Sequence, residues 1–137
     1  MIAVKKVPIH GPEYESLKEK DFFGEKGSGE MVDGVCRMGD VNLYVAESGE
    51  IYGFALISLA TGDAVSILGL GISADFGEED IRKALLDFVL EDLNPKAIVG
   101  EVTEAEVDFY EKYGFYTTEI GENLPGQISY YVTYRYL

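Results

Sequence analysis

The stretch FYEKYGFYTTEI, residues 109–120, decides the fold. Its first residues continue a helical pattern, Gly114 follows, and FYTTEI has the composition of a strand. A glycine directly after a helix is typical of the C′ position, where a left-handed conformation ends the helix. Upstream, Thr103 and Glu106 have the spacing of a capping box, which predicts a helix over about 104–113. The stretch therefore predicts a helix-to-strand junction, and it leaves open whether its aromatic residues serve catalysis or packing.

The residues before this junction alternate between apolar runs and short turns. IAVKKV (2–7) predicts an opening strand and PEYESLKEK (12–20) a short helix, while FFGEKGSGE reads as a loop. From 31 to 72 the strand-like runs are separated by short turns. They read MVDGVCRM, VNLYVAE, IYGFALISLA and AVSILGLGI. This spacing predicts an antiparallel meander.

The hydrophobic period then changes to that of a helix. In EEDIRKALLDFVLEDL the apolar residues follow an i, i+3, i+4, i+7, i+8 series, namely Ile81, Ala84, Leu85, Phe88 and Val89. Asp75 and Glu78 resemble a capping box before this helix, and Asn94-Pro95 predicts its end. AIVGEV (97–102) is almost wholly apolar, which indicates a central strand.

The last part of the chain completes the sheet. GENLPGQ after the junction reads as a turn, and ISYYVTYRYL reads as a final strand. Because a strand–helix–strand crossover makes a parallel pair, the sheet must be mixed. The sequence therefore predicts an α/β (α+β) protein with a single, mostly antiparallel sheet.

Composition limits the class of protein. The 137 residues, 47% of them hydrophobic, fit one domain over 1–137. A single cysteine, Cys36, excludes an internal disulfide and a CxxC zinc site. The sequence also has no apolar run long enough for a membrane span, and these two features together favour a cytoplasmic protein. The net charge of −14 would repel nucleic acid. That charge either steers cationic partners to the surface or serves only solubility.

The order of elements, with FYEKYGF placed late, resembles the GCN5-related N-acetyltransferase (GNAT) superfamily over roughly residues 41–137. LYVAESGEIYGFALIS is similar to the family's second and third strands, and SILGLGISADFGEEDIRKALLDFVLE to its fourth strand and cofactor-cradling helix. TEAEVDFYEKYGFYTTEI is similar to the segment that follows the fifth strand. The resemblance implies helices on both faces of the sheet, and acetyl-CoA between the fourth and fifth strands as cosubstrate.

Two motifs of the family are altered. The cofactor motif Q/R-x-x-G-x-G/A falls on Gly77, Asp80 and Arg82, and none of the three matches. The acids at 78–80 put negative charge where phosphates would bind, although Arg82 and Lys83 could bind phosphate directly instead of being solvated. The family's late asparagine and alanine are also replaced by other residues in this chain.

The resemblance nevertheless implies a set of site residues. Cofactor-binding positions would be Leu70, Gly71, Ile72, Ile81, Arg82 and Lys83. Tyr110 matches the family's general acid, with packing in the core as its alternative role. Glu101, or Glu47, is a candidate base that is otherwise a surface carboxylate. A cation site at Glu101, Glu104 and Asp108 is disfavoured because so few ligands are available, and no metal is expected.

These residues support two hypotheses. The first is an acyl-CoA-dependent N-acetyltransferase acting on a small-molecule or peptide amine. The second is an inactive GNAT-fold regulatory or protein-binding module that has lost the pyrophosphate cradle. The short segment 8–30 leaves little room for an acceptor wall, so the acceptor site would be open, small, or completed by another subunit of a homodimer. The aromatic final strand would pair with that subunit if it lay at an edge.

Overall fold

The computed structural model describes residues 3–9, 11–19, 40–59, 64–72, 78–124 and 127–135. Within these ranges the strands are β1 (Ala3–Val7), β2 (Val41–Ser48), β3 (Glu50–Ser58), β4 (Ala64–Ile72), β5 (Ala97–Thr103), β6 (Tyr116–Leu124) and β7 (Gln127–Arg135). The helices are α1 (Pro12–Glu19), α2 (Glu78–Leu93) and α3 (Glu104–Tyr113). The predicted strand MVDGVCRM, the loop FFGEKGSGE, and His10, Asp75 and Gly77 lie outside the described residues.

The strands form one sheet in the order β1-β2-β3-β4-β5-β7-β6. Every neighbouring pair is antiparallel except β4 and β5, which are parallel because α2 connects them across one face. The tight turn between β2 and β3 is made at Gly49, whose φ of 80° favours glycine. The predicted mixed, mostly antiparallel sheet is therefore confirmed.

The helices cover both faces of this sheet, as the resemblance implied. On the α1 face, Tyr14 and Leu17 pack on a small core that includes Leu43 and Phe54. On the opposite face, α2 and α3 pack on a larger core; we call this the α2–α3 face. No helix among the described residues is both long and apolar enough to cross a membrane.

The ends of two helices follow the sequence closely. Helix α2 ends at Leu93, and Asn94 follows with a φ of 45° and an N–H that donates to the Leu90 carbonyl. Helix α3 ends before Gly114, whose φ is 122° and whose N–H donates to the Tyr110 carbonyl at 3.2 Å. Both predicted helix ends are confirmed.

The C-terminal hairpin differs from the prediction in two ways. The first four residues of the predicted turn GENLPGQ belong to β6, which runs to Leu124 through two register irregularities. Gly121, at a φ of 135°, follows the first irregularity and lets the strand continue pairing. In addition, β7 lies between β5 and β6. The aromatic final strand is therefore not an edge strand, so the condition under which it would pair with a second chain is not met.

Candidate functional site

The parallel pair β4–β5 separates partway along the sheet. Its ladder runs from Ala64 and Ala97 to Ile67 and Gly100, and there it stops, although both strands continue. At the same point the β3–β4 register shifts and leaves Leu68 without a partner on β3. Because a bulge bends a strand and increases its twist, it turns β4 away from β5. We call the region between 68–72 of β4 and 101–103 of β5 the splay.

The β4 wall of the splay is thin and closely packed. A Cβ atom on Gly71 would lie 2.2 Å from the Phe54 ring, and one on Gly69 would lie 3.3 Å from it. The ring of Phe54 therefore covers both glycines on the α1 face. Leu70 is half-buried against the core of the α2–α3 face, and Leu68 is 44% exposed. Of Ile72 only the backbone is described.

Tyr110 lies in the aromatic core where α3 meets the sheet. It is 1% exposed, and its ring makes edge contacts with Phe109 and Phe115 at centroid distances of 5.2 and 5.1 Å. Burial raises the pKa of Tyr110, the charge of Glu106 raises it further, and the charge of Arg82 opposes both. Because helical side chains lean toward the helix N-terminus, the Tyr110 ring is directed toward the end of β5, where α3 begins. Tyr110 is therefore a core residue, and it belongs to the same apolar cluster as Leu70 of β4 and Val102 of β5 at the splay.

Three consecutive residues of α2 have different surroundings. Ile81 is 1% exposed and packs in the core. Arg82 is half-buried, with its guanidinium carbon 5.6 Å from the Phe109 ring centroid. Its Nε is fully buried and has no hydrogen-bond partner among the described residues. Lys83 is exposed, and its Nζ lies 3.0 Å from Asp87 Oδ2 in an ion pair.

A cavity of about 380 Å³ lies between α2 and α3. It is lined by Asp80, Lys83, Asp87, Phe109, Lys112, Tyr113 and Tyr134. The hydroxyl of Tyr113 donates to Asp87 Oδ1 at 2.7 Å, so Asp87 binds residues of both helices. The pKa of Tyr113 is raised, first by burial and then by this hydrogen bond. Our sequence reasoning missed Asp87, although Asp80, Lys83 and Asp87 form a polar stripe at helical spacing beside the apolar one.

The two candidate bases lie apart. Glu101 is exposed on β5, and the next residue, Val102, is buried in the core of the α2–α3 face. Because side chains alternate along a strand, Glu101 points to the α1 face, opposite Tyr110. Glu47 lies on β2 and forms a 2.9 Å ion pair with Lys5 of β1, two strands from the splay. Within the described ranges, no group of three or more His, Cys, Asp or Glu residues is placed to hold a metal ion.

The sheet order and the splay are those of an acyl-CoA N-acyltransferase fold, and comparison with solved structures agrees. No protein-family model and no curated protein matches the sequence. The ribosomal-protein-S18-alanine N-acetyltransferase from Escherichia coli is 13% identical, with a TM-score of 0.77 over 98% of this chain and 94% of its own. A GNAT family acetyltransferase from Elizabethkingia anophelis, solved with acetyl-CoA bound, is 19% identical (TM-score 0.75; 98% of each chain). Arabidopsis thaliana NAA60, in complex with a bisubstrate analogue, is 18% identical (TM-score 0.69; 98% of each chain). The protein therefore has the GNAT acetyltransferase fold.

Proposed function

We propose that the protein is an acyl-CoA-dependent N-acyltransferase that transfers an acetyl group from acetyl-CoA to a primary amine. The observation that carries this proposal is the splay, with Tyr110 beside it. Beyond Ile67 the backbone of β4 is not paired with β5, so it can form hydrogen bonds to an extended ligand there. The Elizabethkingia anophelis protein of the same fold has acetyl-CoA bound.

Several residues fit such a ligand. The buried Nε of Arg82 lacks an acceptor among the described residues, and an anionic ligand would supply one. The backbone of Leu70, Gly71 and Ile72 would hold the pantetheine arm, while Lys83 lines the cavity between α2 and α3. Ile81 would contribute only its backbone, because its side chain is part of the core.

The chemistry follows from the two faces of the splay. The amine, after its ammonium form has lost one proton to solvent, would attack the thioester carbonyl carbon through its nitrogen lone pair, forming a C–N bond as the C–S bond breaks with its electron pair going to sulfur. Tyr110, on the α2–α3 face, would donate its hydroxyl proton to that sulfur. Glu101, on the α1 face, would accept the proton that the amine loses, either directly or through water.

The acceptor is best described as a cationic amine on a small molecule or a peptide. The net charge of −14 attracts cations over long distances. Two proteins of the same fold support a peptide acceptor, since one is named for acting on an alanine of ribosomal protein S18 and the other was solved with a bisubstrate analogue. A cytoplasmic location and a homodimer with another interface stay predictions.

The decisive experiment is a thermal shift with acetyl-CoA and with CoA. A ligand at 100 times its dissociation constant adds about 2.7 kcal/mol to stability, which for a chain of this size corresponds to a shift of about 10 °C. Absence of any shift at millimolar ligand would refute the proposal.

If binding occurs, Tyr110→Phe should reduce turnover by about 10²-fold or more and leave the thermal shift with acetyl-CoA unchanged. This result is expected because the substitution removes only the hydroxyl of a side chain that otherwise packs in the core. Full activity in this variant would leave Tyr110 with a packing role alone.

A second candidate is an inactive GNAT-fold module that binds a protein partner. It is favoured by the charges near the start of α2, where Asp80 is exposed and Lys83 is already paired with Asp87. These groups give an anion little net attraction. A wild-type protein that shows no thermal shift with either ligand would support this candidate.

A further inference from the structure

In the acetyl transfer proposed above, the leaving group is the CoA thiolate, and Tyr110 alone is a poor acid for it. A cysteine thiol has an ordinary pKa of about 8.5 and a phenol one of about 10, so a phenol is not a stronger acid than the thiol it would protonate. Burial raises the pKa of Tyr110 further, and Glu106 adds to the effect. Complete proton transfer during bond cleavage is therefore unfavourable unless another group stabilises the negative charge.

Arg82 is the cation that is placed to stabilise this negative charge. It extends from α2 over the ring of Phe109, the residue adjacent to Tyr110 on α3. Its charge acts on the Tyr110 hydroxyl and opposes the effects of burial and Glu106. Its Nε faces the protein interior, where no acceptor is present among the described residues. A charged donor held against an aromatic ring in this way is preorganised for a charge that appears only during reaction.

We propose that Arg82 stabilises the thiolate of the leaving CoA, with Tyr110 as its hydrogen-bonding partner. As the C–S bond breaks, its electron pair would stay on sulfur, and the Arg82 guanidinium and the Tyr110 hydroxyl would both interact with that sulfur. Arg82 keeps its proton throughout. The Tyr110 hydroxyl keeps its proton and donates a hydrogen bond to the sulfur, which takes a proton from solvent as CoA leaves. This role rests on the proposed function and differs from the binding of phosphate that the sequence suggested for Arg82.

The neighbouring residue shows why a phosphate role fits Arg82 less well. Lys83 is the exposed cation of this pair, with its side chain 65% accessible, and it lines the cavity between the two helices. A phosphate group, which is large and strongly hydrated, would meet Lys83 first. The buried Nε of Arg82 instead suits a small, partly desolvated anion such as a sulfur atom.

The test compares CoA with desulfo-CoA, which has the same phosphates and pantetheine arm but no sulfur. Dissociation constants for both ligands would be measured by calorimetry from pH 7 to 9.5 for wild type, Arg82→Gln and Lys83→Gln. The charged side chains around Arg82 are Asp80, Lys83 and Asp87 on α2 and Glu106 on α3. CoA and desulfo-CoA differ only in the thiol, so a pH dependence that differs between the two ligands must come from the ionisation of that thiol. Lys83→Gln is the matched control because it removes one positive charge from the adjacent position.

In wild type, the affinity for CoA should rise relative to desulfo-CoA as the pH increases from 7 toward the pKa of the free thiol, by about tenfold in total for each unit by which binding lowers the thiol pKa. Arg82→Gln should abolish this rise, and Lys83→Gln should weaken both ligands equally and retain it. Arg82→Lys separates charge from packing on Phe109. Because lysine keeps the positive charge, this variant should retain part of the rise that Arg82→Gln abolishes.

Two results would overturn the inference. Equal weakening of CoA and desulfo-CoA by Arg82→Gln would assign Arg82 to the phosphates. Unchanged affinities for both ligands, with the pH-dependent rise retained, would show that Arg82 acts only on packing. Neither result affects the proposed function, which fails separately if wild type binds neither CoA nor acetyl-CoA.

Discussion

Replacing Gly71 with alanine should destabilise the protein through a contact that spans two strands. Gly71 of β4 is the register partner of Phe54 of β3. A Cβ atom at position 71 would lie 2.2 Å from Phe54 Cε1 and 2.9 Å from Cδ1, whereas carbon atoms in contact are normally about 3.5–4.0 Å apart. Because Phe54 is 4% exposed within the core of the α1 face, its ring cannot swing into solvent.

The magnitude follows from the overlap. Forcing an extra carbon into a well-packed core costs about 1–3 kcal/mol, and an overlap of more than 1 Å belongs at the upper end of that range. Gly69→Ala is the matched control, since its Cβ would lie 3.3 Å from the same ring. Its cost should stay within about 0.5 kcal/mol, because alanine also lowers the entropy of the unfolded chain.

The assay is urea unfolding of the two alanine variants and of Phe54→Leu, alone and combined with Gly71→Ala. Removing the ring takes away the atoms that Cβ would strike, so the cost of Gly71→Ala should largely vanish in the Phe54→Leu background. The reasoning fails if Gly71→Ala costs no more than Gly69→Ala, or if its cost is the same with and without the ring.

Three further predictions concern residues around the candidate site. Burial raises the pKa of Tyr113 above its unfolded value near ~10, so the stability that the neutral phenol contributes is complete below that pH and declines above it. In Tyr113→Phe, the unfolding free energy should therefore fall less steeply between pH 10 and 11, by up to about 1.4 kcal/mol per pH unit. Gly114→Ala should lower the unfolding free energy by about 1 kcal/mol or more, because a φ of 122° strains any side chain; an unchanged urea midpoint would contradict this. Tyr44→Phe removes a 2.8 Å hydrogen bond to Asp92 and should cost about 1–2 kcal/mol in the same assay, whereas a neutral effect would show that water replaces it.

The elements and their order could be predicted from the sequence because local signals specify them. The helical period from Ile81 to Val89 marks α2, and Gly114 marks the end of α3. The hairpin between β6 and β7 was the exception. A glycine within GEN normally signals a turn, yet here Gly121 lies at a register shift in a strand that continues. Only the pairing with β7 distinguishes these two cases.

The site itself depends on contacts that no local pattern encodes. The splay arises where Leu68 is left unpaired against β3, and this depends on the register of a different hairpin. The hydrogen bond between Asp87 and Tyr113 joins two residues that are 26 positions apart in sequence and lie on different helices. Periodicity could place both residues on helices, but it could not show that their side chains meet.

Arg82 and Lys83 show how one helical step separates two roles. Successive residues of an α-helix point about 100° apart, so two adjacent cations cannot share one environment. In α2 one cation is turned toward Phe109 and the interior, and the other toward Asp87 and solvent. Of the charged residues that line the cavity, Asp80 and Asp87 balance Lys83 and Lys112, so the cavity itself attracts no anion at a distance. A net charge of −14 repels anions further. Under the proposed function, an anionic acyl donor would therefore be held by short-range contacts within the splay. Arg82, whose buried Nε has no hydrogen-bond partner among the described residues, is then the residue whose removal is most informative.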